Sequence, residues 1–350
     1  MKIALHIGVH RTGTTALQAA LDLGSAQLRA DGVWFAQLPV VRPAVSSRLI
    51  AAERGGRWSR ARARRAIRAF ARAREDEGID RLVISDELIL GLMDRSLGPA
   101  GVYPSAGARL GLLAEALEGW PVRAYAALRP PASWLPSVYA FALSRRPQRP
   151  WAEARAGALE AERGFAALAR DVAEVFPDPL FWTTEFYRAH PWRVHARLTE
   201  RGFARRFGKP RKAVNGSLSG PAMARLEALR ARGARIDRET LRALRREAPV
   251  HLRGAWDPWS AEERAALDAR WRADIAPKSG VSSSGNGTDN SLKRCCSWEL
   301  SLLVWQLWGY SMSNAWRRGF RRSANCYLRC FRQILAAFPN GLCRLSIPWP

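Results

Sequence analysis

The chain has 350 residues and a formal net charge of +25, from 56 lysines and arginines against 31 aspartates and glutamates. Its longest apolar run, at 300–310, is shorter than the roughly 20 apolar residues that a membrane-spanning helix needs. The first residues lead into a strand pattern without a separable secretory signal. We therefore expect a cytoplasmic protein with no transmembrane segment.

The beginning of the chain predicts a strand, a phosphate-binding loop and a helix. An apolar run at 3–7 precedes Gly8 and Gly13, and an Ala- and Leu-rich segment follows. Glycine lets the backbone approach a phosphate closely, and the N–H groups at a helix start carry partial positive charge. We predict that this loop binds an anion. The predicted binding residues are Arg11, Thr12, Gly13, Thr14 and Thr15.

The glycine spacing matches the first part of a Walker A loop, which then requires Lys followed by Ser or Thr. Thr14 stands at the lysine position, and the cation lies inside the loop, at Arg11. A nucleotide-dependent kinase therefore remains an alternative with a degenerate loop. No carboxylate is convincingly placed for Mg²⁺, and no metal site is predicted.

The run from His10 to Thr15 resembles the 5′-phosphosulfate loop of sulfotransferases that use PAPS (3′-phosphoadenosine 5′-phosphosulfate), in the bacterial sulfotransferase-like branch. Members of that branch usually carry Lys at the position of Arg11. The resemblance covers about residues 1–276. It implies a P-loop-like fold, PAPS as the sulfuryl donor and PAP, the desulfated nucleotide, as the product. The alternative is a glycine turn before a buried helix that binds no ligand.

A strongly basic helix is predicted at 57–74. Its apolar positions lie on one helix face and are Ala63, Ala66, Ile67 and Phe70. The usual interpretation is a solvated helix. The alternative is a surface for an acidic substrate or for peripheral contact with an anionic membrane.

Two carboxylates follow the predicted strand at 81–85. Ligands of open α/β sheets lie beyond the carboxyl ends of the strands, where a carboxylate can accept the proton of an acceptor hydroxyl. A similar strand ending in Ser-Glu occurs in the branch that the chain resembles. We take Glu87 as the leading candidate base and Asp86 as the second, although Asp86 also fits a helix cap. His10 is a further candidate, because imidazole titrates near neutral pH.

Arg129 follows the predicted strand at 122–128, and Ser137 comes eight residues later. A guanidinium offers a planar fork that matches phosphate oxygens, and a serine adds a hydroxyl donor. Sulfotransferases resemble this segment closely. The resemblance implies that Arg129 and Ser137 hold the 3′-phosphate of the nucleotide.

Two later features concern helix starts. A segment ending at Ser219 resembles an Asn-x-Ser-Leu-Ser stretch of bacterial sulfotransferases, and we predict a helix cap at Ser219 rather than a nucleotide contact. The roles of Asn215 and Ser217 stay open. Ser260 and Glu263 form a capping-box pattern for the last predicted helix.

The composition changes near Pro277. All five cysteines come after it, and a stretch rich in serine and glycine marks the junction. We expect a sulfotransferase-like domain at 1–276 and a non-native or disordered tail at 277–350. The cysteines lack convincing metal-ligand spacing.

Strand and helix patterns alternate up to about residue 276. The predicted strands are 2–7, 33–36, 81–85, 122–128 and 179–182. The predicted helices are 14–30, 57–76, 108–118, 132–145, 151–175, 191–206, 219–233 and 260–275. The sequence therefore predicts a three-layer α/β fold with a central parallel sheet flanked by helices.

The main functional hypothesis is an enzyme that moves a sulfuryl group from PAPS to a hydroxyl or amine. The expected acceptor is a small molecule, a lipid or a glycan, and no specific nucleic acid partner is expected. Besides the kinase, a catalytically inactive nucleotide-binding or interaction protein remains an alternative, because Arg11 replaces the usual Lys.

Overall fold

A parallel sheet forms the centre of the computed structural model, which describes residues 1–145, 147–201 and 217–275. Its strands are β1 (Lys2–His6), β2 (Val33–Ala36), β3 (Arg81–Ser85), β4 (Val122–Leu128) and β5 (Leu180–Thr183). They lie in the order β2-β3-β1-β4-β5, and every pairing is parallel. The predicted α/β class with a central parallel sheet is confirmed.

Helices cover both faces of the sheet. They are α1 (Thr14–Leu23), α2 (Ser25–Ala30), α3 (Leu38–Val41), α4 (Ser47–Arg54), α5 (Arg57–Asp76), α6 (Ala106–Ala116), α7 (Pro131–Arg145), α8 (Trp151–Glu160), α9 (Phe165–Val175), α10 (Thr184–Ala189), α11 (Pro191–Thr199), α12 (Gly220–Ala231), α13 (Arg238–Glu247), α14 (Val250–Arg253) and α15 (Ala261–Ile275). A π-helical turn spans Arg42–Ser46, and 3₁₀ turns span Glu87–Ile89 and Met93–Leu97. Strand connections of this kind are right-handed, so α1 lies on one face and α5, α6 and α9 lie on the other.

The central strands β1 and β3 are buried on both faces along most of their length, and their composition reflects this. Leu82, Val83 and Ile84 of β3 are fully buried, as are Ala4 and Leu5 of β1. A parallel sheet between two helix layers needs such continuous apolar runs, whereas a half-exposed strand would alternate. The same burial explains why these strands were predictable from apolar runs alone.

Helix α7 contains an internal proline that determines how the end of the domain packs. Pro136 has no N–H, so it cannot donate to the carbonyl of Ala132 four residues earlier. The indole N–H of Trp259 donates to that carbonyl instead, at 2.7 Å. The segment before α15 is therefore held against the helix that carries Ser133 and Ser137.

The predicted helix caps are confirmed. The Ser219 hydroxyl accepts the N–H of Ala222 at 3.4 Å. The capping box before α15 is reciprocal, since Glu263 Oε2 accepts the N–H of Ser260 at 2.9 Å and Ser260 Oγ accepts the N–H of Glu263 at 3.2 Å. Such caps satisfy N–H groups that the first helical turn leaves without partners.

Several expectations lie outside the described residues. These are the role of Asn215 and the whole segment 277–350 with its cysteines. The helix predicted at 191–206 was too long, because α11 ends at Thr199, where Glu200 adopts a left-handed backbone. Within the described ranges, no helix combines the length and the apolar character needed to cross a bilayer.

Candidate functional site

Three segments predicted to carry function meet at the carboxyl edge of the sheet. The loop with Gly8 and Gly13 follows β1, Glu87 follows the neighbouring β3, and Arg129 follows β4 on the other side of β1. The connections from β1 and β3 leave toward opposite faces, and a crevice opens at such a point in an α/β sheet.

Neighbouring side chains hold the loop after β1 in one shape. Thr12 Oγ1 donates to the carbonyl of Val9 at 2.6 Å, and Trp134 Nε1 donates to the carbonyl of His10 at 2.8 Å. Arg129 donates to the carbonyl of Arg11 at 3.0 Å. These three carbonyl oxygens would repel an anion, but each of them already accepts a hydrogen bond from a side chain of the protein.

Two loop residues have left-handed backbone angles, Arg11 at φ 68° and Gly13 at φ 91°. The carbonyl of Gly13 accepts from the N–H groups of Ala16 and Leu17, which starts the hydrogen bonding of α1. A Cβ at Gly13 would lie 3.4 Å from the ring of Tyr187. The backbone angle favours glycine there, and the helix start supplies the partial positive charge of its first N–H groups.

The predicted pair of Arg129 and Ser137 lies in one cleft, but the two side chains do not bond to each other. Ser137 Oγ accepts from Arg11 Nε at 2.9 Å, and Arg129 Nε donates to Ser133 Oγ at 3.0 Å. Each guanidinium therefore has its own serine on α7. Ser133 lies one helical turn before Ser137, and the eight-residue spacing from Arg129 to Ser137 does not predict its contact.

The cleft beside these residues contains about 730 Å³ of space, part of it open to solvent. Its apolar wall is formed by Ala140, Phe141, Leu218, Leu241 and Trp256. Arg245 of α13 lies on the same cleft, and its Nε is buried without an acceptor among the described residues. Clefts that combine apolar walls with a few charged groups are typical of small-ligand sites.

Four guanidiniums line the cleft, those of Arg11, Arg129, Arg245 and Arg264, and the last is paired with Asp257. Burial, with the nearby charges of Arg129 and Arg245 as lesser causes, lowers the pKa of Arg11 to about 10. Burial also lowers the pKa values of Arg129 and Arg245, and Arg188 contributes to the lowering at Arg129. Arg11, Arg129 and Arg245 remain protonated at neutral pH. Such a concentration of positive charge favours a ligand with several negative charges.

Sequence reasoning missed Arg245 because it predicted no helix at 238–247. A usable signal was present, since Leu241, Leu244 and Arg245 recur at the spacing of one helix face. The segment 238–247 is rich in arginine, so its two leucines did not stand out as the apolar face of a helix. Only the contact with α12 and the cleft distinguishes Arg245 from the exposed Arg246 beside it.

Asp86 has the capping role that was its alternative. Its carboxylate accepts the N–H of Leu88 at 3.2 Å and the hydroxyl of Ser46 at 2.6 Å, and Arg42 lies 3.6 Å away. The side chain is completely buried. These partners leave Asp86 little capacity to receive a proton from a substrate.

Glu87 differs from Asp86 in its hydrogen bonding and in its capacity to receive a proton. Its Oε2 is buried and has no hydrogen-bond partner among the described residues. Burial raises the pKa of Glu87, and the neighbouring Asp86 raises it further, whereas Arg42 and Gln18 act in the opposite direction. A carboxylate with a raised pKa and a vacant oxygen is suited to accept a proton.

His10 is bound to Tyr103 in a way that fixes its ring proton. The Tyr103 hydroxyl accepts the backbone N–H of His10 at 3.0 Å and lies 2.7 Å from His10 Nδ1. Within the described part of the chain, the hydroxyl has no other acceptor for its single proton, so it donates to Nδ1. Neutral His10 then carries its own proton on Nε2. Burial, with Arg42 and Arg11 as lesser causes, lowers its pKa to about 3.

The arrangement makes His10 a neutral donor rather than a base. We expect nitrogen NMR of histidine-labelled protein to show His10 protonated on Nε2 alone, and neutral through the range in which an ordinary histidine titrates, about pH 6.5. Tyr103→Phe removes the donor to Nδ1 and should mix the two tautomers. Tyr139→Phe, which removes a hydroxyl bonded to Arg149, is the control. Protonation on Nδ1 in the unmodified protein would restore His10 as a candidate base.

Comparisons with known protein families, with curated proteins and with solved structures found no match for this chain. The fold by itself does not determine a function, because many activities share parallel α/β sheets. Function is therefore inferred from the residues at the carboxyl edge of the sheet.

Proposed function

We propose that this protein transfers a sulfuryl group from PAPS to a hydroxyl or amine acceptor. The observation that carries the proposal is the convergence of Arg11, Arg129 and Arg245 on one cleft beside the glycine loop of α1. PAPS carries negative charge at both the 3′ and the 5′ position of its ribose, so it needs cations at more than one place.

The residues present fit such a nucleotide. The N–H groups at the start of α1 and the hydroxyls of Thr14 and Thr15 would hold the 5′-phosphosulfate. Thr14 Oγ1 is buried and lacks a hydrogen-bond partner among the described residues. Arg129, with Ser133 and Ser137 near it, would hold the 3′-phosphate through charge-assisted hydrogen bonds.

The proposed reaction assigns separate tasks to Arg11 and Glu87. PAPS supplies the sulfuryl group: its sulfur–oxygen bond to the 5′-phosphate breaks as a new bond forms to the acceptor atom. Glu87 takes the proton that the acceptor loses. Arg11 stabilises the negative charge that develops on the departing phosphate oxygen. His10, as a neutral Nε2–H donor, contributes a hydrogen bond and no proton transfer.

The acceptor class stays broad: a hydroxyl or amine on a small molecule, a lipid or a glycan. The two other interpretations remain distinguishable by ligand. A kinase should be stabilised against heat by ATP with Mg²⁺ more than by PAP, and an inactive nucleotide-binding protein should bind PAP without turnover in a screen of acceptors with PAPS.

Recognition of the 3′-phosphate gives the direct test. We expect PAP to bind more tightly than AMP, and Arg129→Ala to erase most of the difference. A hydrogen bond to a charged group contributes about 1.5–3 kcal/mol, which predicts about a tenfold or greater loss of PAP affinity. Isothermal calorimetry measures both affinities.

Arg123→Ala is the matched control, because Arg123 lies at the exposed start of β4, the strand that Arg129 follows, and donates to the carbonyl of Asp178. It should leave the preference for PAP unchanged. Equal affinities for PAP and AMP in the unmodified protein would contradict the assignment of Arg129.

A further inference from the structure

We propose that the protein docks on anionic lipid bilayers through a basic tip formed by α4 and the first half of α5. The basic tip consists of Arg48, Arg54, Arg57, Trp58, Arg62 and Arg65, all of which are exposed. This inference does not depend on the proposed enzymatic function, because it concerns a surface apart from the cleft.

The positive charge of the tip is not neutralised locally. Within the described residues, none of its five arginines forms an ion pair with a carboxylate. Two acidic side chains of the adjoining helices already have partners: Glu115 of α6 lies 4.0 Å from Arg60 and 3.9 Å from Arg64, and Glu53 of α4 binds Arg95 and Arg109. The tip therefore keeps a positive field that an acidic surface can neutralise.

Trp58 adds an apolar anchor at the same place. Its side chain is 74 % exposed, and the guanidinium of Arg57 lies 5.3 Å from its ring centre. Trp58, Arg62 and Arg65 follow one another at helical spacing on the solvent face of α5, whereas Ala63 and Ile67 face the core. An indole beside guanidiniums is typical of the headgroup level of a membrane, where the ring is apolar and its N–H is solvated.

The topology places the tip at the edge of the sheet that carries the candidate site. Helix α5 leads into β3, so it runs opposite to the strands and its first residues lie at their carboxyl ends. Its 20 residues make it about 30 Å long, enough to pass the sheet from edge to edge. Val40 of α3, 40 % exposed, follows β2 at this edge as well. Docking would thus bring the edge of the sheet that carries the candidate site close to the bilayer.

The side chains of the tip favour lipid over nucleic acid. Its solvent stripe continues as Ala69 and Arg72 and contains no Asn or Gln of the kind that read base edges. Lipid headgroups require positive charge and an interfacial aromatic side chain, and the stripe supplies both. A bilayer is also the acceptor surface that a lipid-modifying enzyme would need.

Co-sedimentation of the full chain with vesicles tests the proposal. We expect binding to phosphatidylcholine vesicles that contain phosphatidylserine, little binding to pure phosphatidylcholine, and weakening as salt rises. Each arginine near an anionic surface contributes enough for about a fivefold change in affinity, so Arg62→Gln with Arg65→Gln should cost about 25-fold. Trp58→Ala should weaken binding as well.

Trp192→Ala is the matched control. Trp192 is 50 % exposed, and Arg193 lies 5.2 Å from its ring centre, but it belongs to α11, which packs against α1 on the other face of the sheet. This variant should bind vesicles like the unmodified protein. The midpoint of thermal unfolding, measured in parallel, should stay the same in all these variants and serves as the check on folding.

Three results would overturn the proposal: equal binding to neutral and anionic vesicles, an equal loss in Trp192→Ala, or no loss when Arg62 and Arg65 are replaced. Binding of a duplex nucleic acid through Arg62 and Arg65, without binding of vesicles, would assign the surface to a different partner. A variant that loses vesicle binding but keeps its affinity for PAP would show that this surface acts independently of the proposed activity.

Discussion

Replacing Glu87 by Gln is expected to lower turnover by about 10²–10⁴-fold, the usual contribution of a positioned general base. The substitution keeps the shape of the side chain but removes the carboxylate that would accept the proton. PAP affinity should not change, because Glu87 is assigned to the acceptor and not to the nucleotide. Turnover with PAPS and calorimetry with PAP measure the two effects separately.

We also expect Glu87→Gln to change how the stability of the fold depends on pH. Because burial raises the pKa of Glu87, the folded protein holds this proton more tightly than the unfolded chain does. Raising the pH through the raised pKa therefore costs folded stability, since the buried carboxylate must ionise without a full set of partners. Glu87→Gln removes that cost, so it should equal or exceed the parent in stability at neutral pH, with a difference that shrinks in acid.

Glu115→Gln provides the control, since Glu115 is an exposed carboxylate on α6 that pairs with Arg60 and Arg64 and has no part in the proposed reaction. It should retain full turnover. Full activity of Glu87→Gln would instead transfer the base role to His10 or Asp86, against the hydrogen bonds that each of them makes.

Gly13→Val is expected to abolish measurable PAP binding. Valine is strained at φ 91°, and its Cβ would also stand 3.4 Å from the ring of Tyr187. The first turn of α1 would have to move, and its N–H groups would lose their common direction. Thermal unfolding should show a stability loss of about 1–3 kcal/mol from the backbone strain.

Gly119→Val is the control that separates the effect of backbone strain from the loss of ligand contact. Gly119 has φ 96°, and the nearest atom to an added Cβ, a guanidinium nitrogen of Arg68, is 3.9 Å away. Gly119→Val should therefore lose comparable stability but keep its affinity for PAP. If Gly13→Val retained PAP affinity, the loop after β1 would not be the anion site.

The sheet was predictable from the sequence, and the helices were predictable only in part. Buried parallel strands such as β3 appear as short apolar runs, so all five strands were placed to within a residue at each end. The helix predicted at 14–30 is divided at Gly24, and the one at 151–175 ends at Glu160 before α9 begins. Apolar spacing continues across such breaks because both halves pack on the same core.

The candidate site was predictable where one local motif determines it. The strand, loop and helix around Gly13 follow from neighbouring residues, and the capping role of Asp86 follows from its position before a turn. The partners of Arg129 and Ser137 depend instead on where Arg11 enters the cleft. The tautomer of His10 depends on Tyr103, which is 93 residues away in the chain. Such contacts arise only when the elements are packed.

The hydrogen bond between Trp259 and Ala132 implies that the cleft forms late in folding. The glycine loop and its serines are complete by Ser137, but the wall with Trp256 requires a contact that spans 127 residues. Contacts of such sequence separation form slowly, because a long loop must close before they stabilise anything. During synthesis, a chain that has reached α9 already contains the glycine loop, yet the cleft beside it has no complete wall until the segment before α15 has emerged. Pro136, by leaving a carbonyl vacant in α7, keeps a place for that segment.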